Sequence, residues 1–383
     1  MKTNKRWVLP AMSMACIATA ASAFAAEDAA VTRAEFEELQ RQVQEAGDWR
    51  KAESHAHLAG YGAVTYTNTR ETGVNDSFDL VRFNPIIHYQ FLDTVLLESE
   101  LEISIKSDGE TETKLEYLSV DWILNDYMLL VAGKFLSPLG QFRQNLHPLW
   151  INKLASAPPG FGEDQALPMS EIGLQLRGGA PLGAARLNYA VYVGNGPELE
   201  AMGGEIEAIM TDGVTRDQDG KKVVGARLGF LPIPRLEIGV SGASGEATVT
   251  MDGGVPLTGD PVRDYSALGA DFAYSTGGLK FLAEYMRQEV GDASGGMAPL
   301  GGEWQTWYGQ VSYYFSIPGW ELALRYADYD SPHASQDQKQ TALGVNYWIA
   351  PHAVAKLTYE SNDGQAGTAA DANRLLAQIA YGF

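Results

Sequence analysis

From His55 to the carboxyl terminus, apolar and polar residues alternate over segments of about ten to fifteen residues, each bounded by turn-forming chemistry. Alternation with a period of two puts successive side chains on opposite faces of an extended strand, so each segment predicts a β-strand with one apolar and one polar face. Sixteen strands are expected, at about 56–68, 78–92, 94–107, 113–124, 127–136, 170–180, 184–194, 222–231, 234–249, 264–276, 278–290, 304–316, 319–330, 338–349, 352–362 and 371–383. Segments 78–92 and 113–124 alternate poorly, as a register-shifting bulge would make them do. Every second connection is tight, among them Leu92-Asp93, Asn125-Asp126, Gly277-Gly278 and Pro351-His352, and the others are longer and polar.

The alternation assigns faces. Val95, Leu97, Leu101, Ile103 and Ile105 oppose Glu98, Glu100, Glu102 and Lys106, and Leu187, Tyr189, Val191 and Val193 oppose Arg186 and Asn188. A soluble β-sandwich does not explain apolar outer stripes on every strand. No stretch beyond residue 25 approaches a transmembrane helix, and lipid offers no partner to open backbone groups, so a membrane-spanning form must be a closed barrel. The pattern therefore predicts an all-β fold, a 16-stranded antiparallel transmembrane β-barrel facing outer-membrane lipid. Tyr127, Phe135, Trp320, Tyr326, Tyr347 and Tyr359 fall at segment ends, where an interfacial girdle would lie. An even strand number puts both barrel ends on the periplasmic side. The last strand closes on Tyr381 and Phe383, and such a terminal aromatic resembles the signal read by the barrel-insertion machinery.

Residues 1–25 read as a secretory signal. Lys2, Lys5 and Arg6 precede an apolar stretch from Trp7 to Ala20, and Ala23-Phe24-Ala25 supplies a small-x-small cleavage site. Cys16, the single cysteine, leaves with that segment, and Ser13-Met14-Ala15 before it matches a lipobox poorly. The mature chain would then hold no disulfide framework and no cysteine nucleophile. Residues 26–54 predict a short periplasmic helix. Thr32 with Glu35 forms a capping box, and Phe36, Leu39, Val43 and Ala46 make a narrow stripe fit for a lone amphipathic helix or an oligomerising coiled coil. Residues 55–383 form the barrel.

Removing Lys2, Lys5 and Arg6 from 28 basic residues leaves 25 against 48 acidic ones, a net charge near −23. A chain so acidic does not bind nucleic acid through a basic patch. Catalytic chemistry has no foothold either. Gly239-Val240-Ser241-Gly242-Ala243 misses the nucleophile-elbow pattern at its last position, and none of the six histidines pairs recognisably with a serine. No cofactor motif stands out. Glu53-Ser54-His55-Ala56-His57 has metal-ligand residue types, with a hydrated linker as the simpler reading.

The chemically pointed region is the 33-residue connection from Ser137 to Met169, third among the long loops. It carries Phe142, Arg143, His147, Trp150, Lys153 and Phe161, with Pro138, Pro148, Pro158 and Pro159 stiffening it. Folded inward it would narrow a pore; folded outward it would form a cap or a latch. By parity Arg82, Lys106, Lys134, Arg177, Arg186, Arg227, Arg235, Lys280, Arg325, Lys356 and Arg374 face the lumen, opposed by Glu98, Glu100, Glu102, Glu171, Glu237, Asp271, Glu284, Glu321 and Glu360. Two readings stay open: solvated wall charges that set a transverse field, or a basic wall of Lys134, Arg177, Arg186 and Arg227 beside Arg143 and Lys153 that attracts phosphate or carboxylate.

Gly133-Lys134-Phe135-Leu136-Ser137-Pro138-Leu139-Gly140, at the exit of the fifth strand, resembles the corresponding segment of the phosphate-selective porin O/P family. The resemblance implies a homotrimeric outer-membrane channel for small hydrophilic solutes or anions, in some relatives behind an N-terminal coiled coil. The competing expectation is a structural or adhesive barrel with a plugged lumen.

Overall fold

The computed structural model describes residues 54–383, so the expected signal segment and periplasmic helix lie outside the described residues. Nineteen strands follow one another: β1 Ser54–Thr69, β2 Ser77–Phe91, β3 Val95–Ile105, β4 Thr111–Asn125, β5 Met128–Leu136, β6 Ser170–Leu182, β7 Ala185–Gly194, β8 Glu198–Met202, β9 Glu205–Met210, β10 Val223–Ile233, β11 Leu236–Asp252, β12 Val255–Pro256, β13 Val262–Thr276, β14 Leu279–Val290, β15 Gly302–Tyr314, β16 Trp320–Asp330, β17 Gln338–Ala350, β18 Ala353–Gly364 and β19 Arg374–Gly382. Sixteen of these form one closed antiparallel barrel. β7 pairs directly with β10 and β11 with β13, and β1 closes the cylinder on β19 from Tyr61↔Gly382 to Thr69↔Arg374. Closure leaves no open strand edge in the membrane. The remaining three strands were not legible as such. β8 and β9 form a hairpin inside the 195–222 connection, and β8 pairs parallel with the far end of β11 at Val249↔Leu199.

Poor alternation has the expected cause. The β1–β2 register slips between Thr65 and Tyr66, which pair with Leu80 and Phe78 and leave Asp79 between them. The β3–β4 register slips where Glu100 pairs with Tyr117 and Leu101 with Leu115, so Glu116 bulges. Elsewhere the period of two is clean: on β16 Leu322, Leu324 and Tyr326 are exposed, while Glu321, Ala323, Arg325 and Ala327 are buried. Tyr127, Trp320, Tyr326, Tyr347 and Tyr359 are exposed as a girdle requires. Phe135 is the exception. It pairs with inward-facing Glu171, is only 4% exposed, and meets the ring of Tyr192 edge-on at 6.0 Å inside the barrel.

The main apolar core therefore sits within the lumen. Phe135, Leu139, Phe142, Phe161, Tyr192, Met286, Trp304, Tyr308 and Tyr329 belong to one buried cluster that joins wall and loop residues.

The seam between the ends is sealed by the carboxyl terminus. Gly60 and Phe383 exchange backbone hydrogen bonds at 3.1 and 2.9 Å. The exposed Phe383 ring stacks on Phe83 at 6.1 Å and on Tyr381 at 6.2 Å. Gly60 is required there, because a Cβ would come within 2.7 Å of the Phe383 ring. Phe383→Asp should lower the folded fraction reaching the outer membrane, measured as heat-modifiable gel mobility, by placing a carboxylate in this aromatic, lipid-facing contact. A folded fraction equal to that of the parent would contradict the seam's role.

Candidate functional site

The 137–169 connection folds into the barrel and is tied to its walls residue by residue. Its neck closes where the Ser137 N–H donates to the Met169 carbonyl at 3.0 Å. Gly140, at φ +76°, turns the chain inward, and a side chain there would overlap the Glu284 carboxylate. That turn aims two consecutive amides at one acceptor: Gln141 N–H and Phe142 N–H donate to Glu284 at 3.0 and 2.9 Å. The Gln141 side chain adds a bond to Asp271 at 2.8 Å. A single π-type turn, Phe142–Leu146, carries the chain on.

Beyond the turn, side chains of the opposite wall satisfy the loop's backbone. The Lys356 ammonium donates to the Leu149, Asn152 and Leu154 carbonyls. Asn346 donates to the Lys153 carbonyl at 2.9 Å, and Arg325 to the Ser156 and Ala157 carbonyls at 3.0 and 3.1 Å. Thr306 donates to the Pro159 carbonyl at 2.7 Å, while the Ala155 N–H donates to Thr358 at 3.1 Å. Buried peptide groups need partners, and here the barrel supplies them in place of water. Arg325 and Lys356, which parity placed in the lumen, are thus loop anchors with almost no exposed surface. The β8–β9 hairpin adds to the packing with Leu199, Ala201, Ile206 and Ile209 in the same cluster.

On the other side the loop leaves a cavity of about 550 Å³ against the β1–β4 and β19 wall. The loop contributes Phe142, Arg143, His147, Ser156 and Glu163, and the wall contributes Thr65, Asp79, Arg82, Glu102, Ser104, Glu112, Lys114 and Arg374. Arg82 pairs with Glu102 at 3.0 Å, Lys114 with Glu163 at 2.6 Å, Arg374 with Glu360 at 2.8 Å, and Arg143 with Glu116. The side chains of Arg82 and Arg374 are 31% and 35% exposed, whereas those of their partners Glu102 and Glu360 are 8% and 0% exposed. Guanidinium groups therefore stand toward the water with their counter-charges behind them. Asp79, Glu112 and Glu163 return negative charge, so the passage is mixed in sign across its width. On the loop, burial and the neighbouring Asp212 and Glu163 carboxylates push Asp164 up to about 6.

Of the six bases read as a basic wall, Lys134, Arg143, Lys153, Arg177, Arg186 and Arg227, only Arg143 lines this cavity, whereas Arg82 and Arg374, placed inward by parity, line it too. Lys153 turns to the opposite wall, 3.0 Å from Glu321 and 4.8 Å over the Trp348 ring, in a separate hollow with Tyr314, Pro318 and Pro351 toward the short turns. Arg177 is held by Asp121 at 2.7 Å and Glu98 at 3.2 Å. Arg227 grips Asp271 with two nitrogens at 3.0 and 2.6 Å and reaches Glu237 at 3.0 Å. Lys134 shares the face of its register partners Leu118 and Ile172, not the inner one, and donates to the Leu115 carbonyl at 2.7 Å. Arg186 is exposed beside the β6–β7 turn. The geometry does not gather these bases into one wall. Lys114 escaped notice because the Glu116 bulge disturbs parity just after it, yet its register partner Glu102 was already assigned inward.

Residues 176–367 match the model of the family described as Gram-negative porin. The chain belongs to that family. Solved structures with the same fold include the outer membrane channel DcaP of Acinetobacter baumannii, 12% identical over 87% of this chain and 99% of that one, TM-score 0.57. An anion-selective porin from Comamonas acidovorans is 14% identical over 86% of this chain and 100% of that one, TM-score 0.57. OmpT of Vibrio cholerae in its trimer form is 13% identical over 86% and 100%, TM-score 0.54. No curated protein sequence matches. As a Gram-negative porin with a closed sixteen-stranded barrel, this protein resides in the bacterial outer membrane.

Proposed function

We propose that this porin is a passive diffusion channel for small hydrophilic solutes, which pass between the 137–169 loop and the β1–β4 wall. The observation that carries this reading is the charged, water-facing cavity left beside a loop that fills the rest of the lumen. Opposed charges across a narrow wet passage orient dipolar solutes and screen them by size and charge. Within that reading, small carboxylates or phosphate are the favoured class, since Arg82 and Arg374 stand forward of Glu102 and Glu360. Likeness to the phosphate-selective porin O/P segment at Gly133–Gly140 and to an anion-selective porin agrees with this preference. Purified protein in a planar bilayer should give ohmic conductance that rises in proportion to salt. A folded barrel that conducts nothing would instead favour the structural or adhesive reading with a plugged lumen.

A homotrimer is part of the same proposal, supported by the trimeric relative, with residues 26–54 as a periplasmic helix that assists assembly. Deleting residues 31–53 should lower the trimer's melting temperature and leave the barrel folded; an unchanged melting temperature would remove the helix from this role.

A further inference from the structure

β1 carries histidines at two consecutive inward positions, His55 and His57, and β2 sets His88 directly across from His57. The segment read as a hydrated linker is thus strand from Ser54 onward. The inward assignment follows from a regular register. Tyr61, four residues beyond His57, donates its hydroxyl to Glu100 at 2.8 Å, and Asn84, four before His88, donates to the same carboxylate at 3.0 Å.

The His57 and His88 rings lie side by side, with centroids 5.7 Å apart, planes 14° apart and Nδ1 atoms 3.4 Å apart. Where one Nδ1–H donates to the other Nδ1, transfer of that proton to the donor ring's own Nε2 leaves two Nδ1 lone pairs for a metal. Two zinc–nitrogen bonds of about 2.0–2.1 Å at a tetrahedral angle span roughly 3.4 Å. Behind His88, its Nε2 lies 3.5 Å from Glu98, and Glu98 is itself held by Arg177 at 3.2 Å. A carboxylate behind a ligating imidazole fixes its tautomer and orientation. Among the described residues no three His, Cys, Asp or Glu side chains already surround a common point, so His57 and His88 are the two protein ligands that the described residues bring together.

We propose that His57 and His88 form a binding site for a divalent transition metal of borderline softness, such as Zn²⁺, at the periplasmic mouth of the channel. Imidazole nitrogen selects such ions over Mg²⁺ or Ca²⁺, which take oxygen ligands. The site lies on the strands that carry Arg82 and Glu102, about 20 Å along β2 from Arg82 at the usual rise per residue. A bound dication adds positive charge at the exit of the passage.

Calorimetric titration of Zn²⁺ into the untagged, detergent-purified full chain at pH 7 should show one saturable site that Mg²⁺ does not occupy. The site should be lost in His57→Ala and in His88→Ala and kept in His333→Ala, whose ring faces Glu205 and Glu207 elsewhere on the molecule. Folded gel mobility is checked first for each variant, with His57→Asn and His88→Gln standing in where alanine disturbs folding. Absence of saturable binding, binding that survives loss of both histidines, or binding lost with His333 would each overturn the assignment.

Discussion

Glu284→Ala should free the start of the 137–169 loop, and single-channel recordings should show higher open conductance and more current noise than the parent. Two buried N–H groups, of Gln141 and Phe142, lose their common acceptor in that variant. Leaving a buried donor unpaired costs about 1–3 kcal/mol, so two weaken the anchor decisively while the β13–β14 pairing that holds the barrel stays intact. Gly140→Ala should act alike by a separate route, since its Cβ displaces the same carboxylate and alanine is strained at φ +76°. Parent-like conductance in both folded variants would mean that the loop does not limit the pore.

Reversing charge at Arg82 should move the zero-current potential in a salt gradient toward cations, and reversing Lys153 should move it much less. Arg82 stands at the passage, whereas Lys153 is folded against Glu321 on the far side of the loop. Unit charges about 4 Å apart interact by about 4 kcal/mol at an effective dielectric of about 20, and a passage narrower than the screening length of about 8–10 Å preserves much of that. A change of only about 0.5–1 kcal/mol for the passing ion is roughly a two- to fivefold change in permeability ratio. Equal shifts from Arg82→Glu and Lys153→Glu would place the current path elsewhere.

The barrel was legible because its physics is local. A strand with lipid on one side and water on the other must alternate, and all sixteen barrel strands announced themselves within a few residues of their ends. The two disturbed segments are those that hold the unpaired Asp79 and the bulged Glu116. The β8–β9 hairpin was not legible, since Glu198–Met210 lies within a long connection and its apolar residues serve a core that exists only once the loops have folded. The candidate site was legible in part. The inward loop was one of two readings, and its length and proline content made it conspicuous. Which bases meet solute could not be read from parity, because parity gives a face and not a depth, and because Arg177, Arg227 and Lys153 are neutralised by acids on other strands. Phe135 was read outward by the same parity that put Lys134 in the lumen, and the register reverses both: Phe135 pairs with inward-facing Glu171 and is buried, while Lys134 shares the face of Leu118 and Ile172.

The central claim, that solutes pass between the loop and the β1–β4 wall, is tested most directly with a thiol-reactive blocker on single-cysteine channels. The chain's one cysteine, Cys16, precedes the barrel, so an introduced thiol reports on its own position. Ser104 lines the passage, and Ala342 is fully buried on the inner face behind the loop, beside Leu154 and Ala323. Ser104→Cys channels should lose most of their current on exposure to a bulky charged methanethiosulfonate, and Ala342→Cys channels should lose none; block at Ala342 with Ser104 unaffected would put the path on the opposite side of the loop.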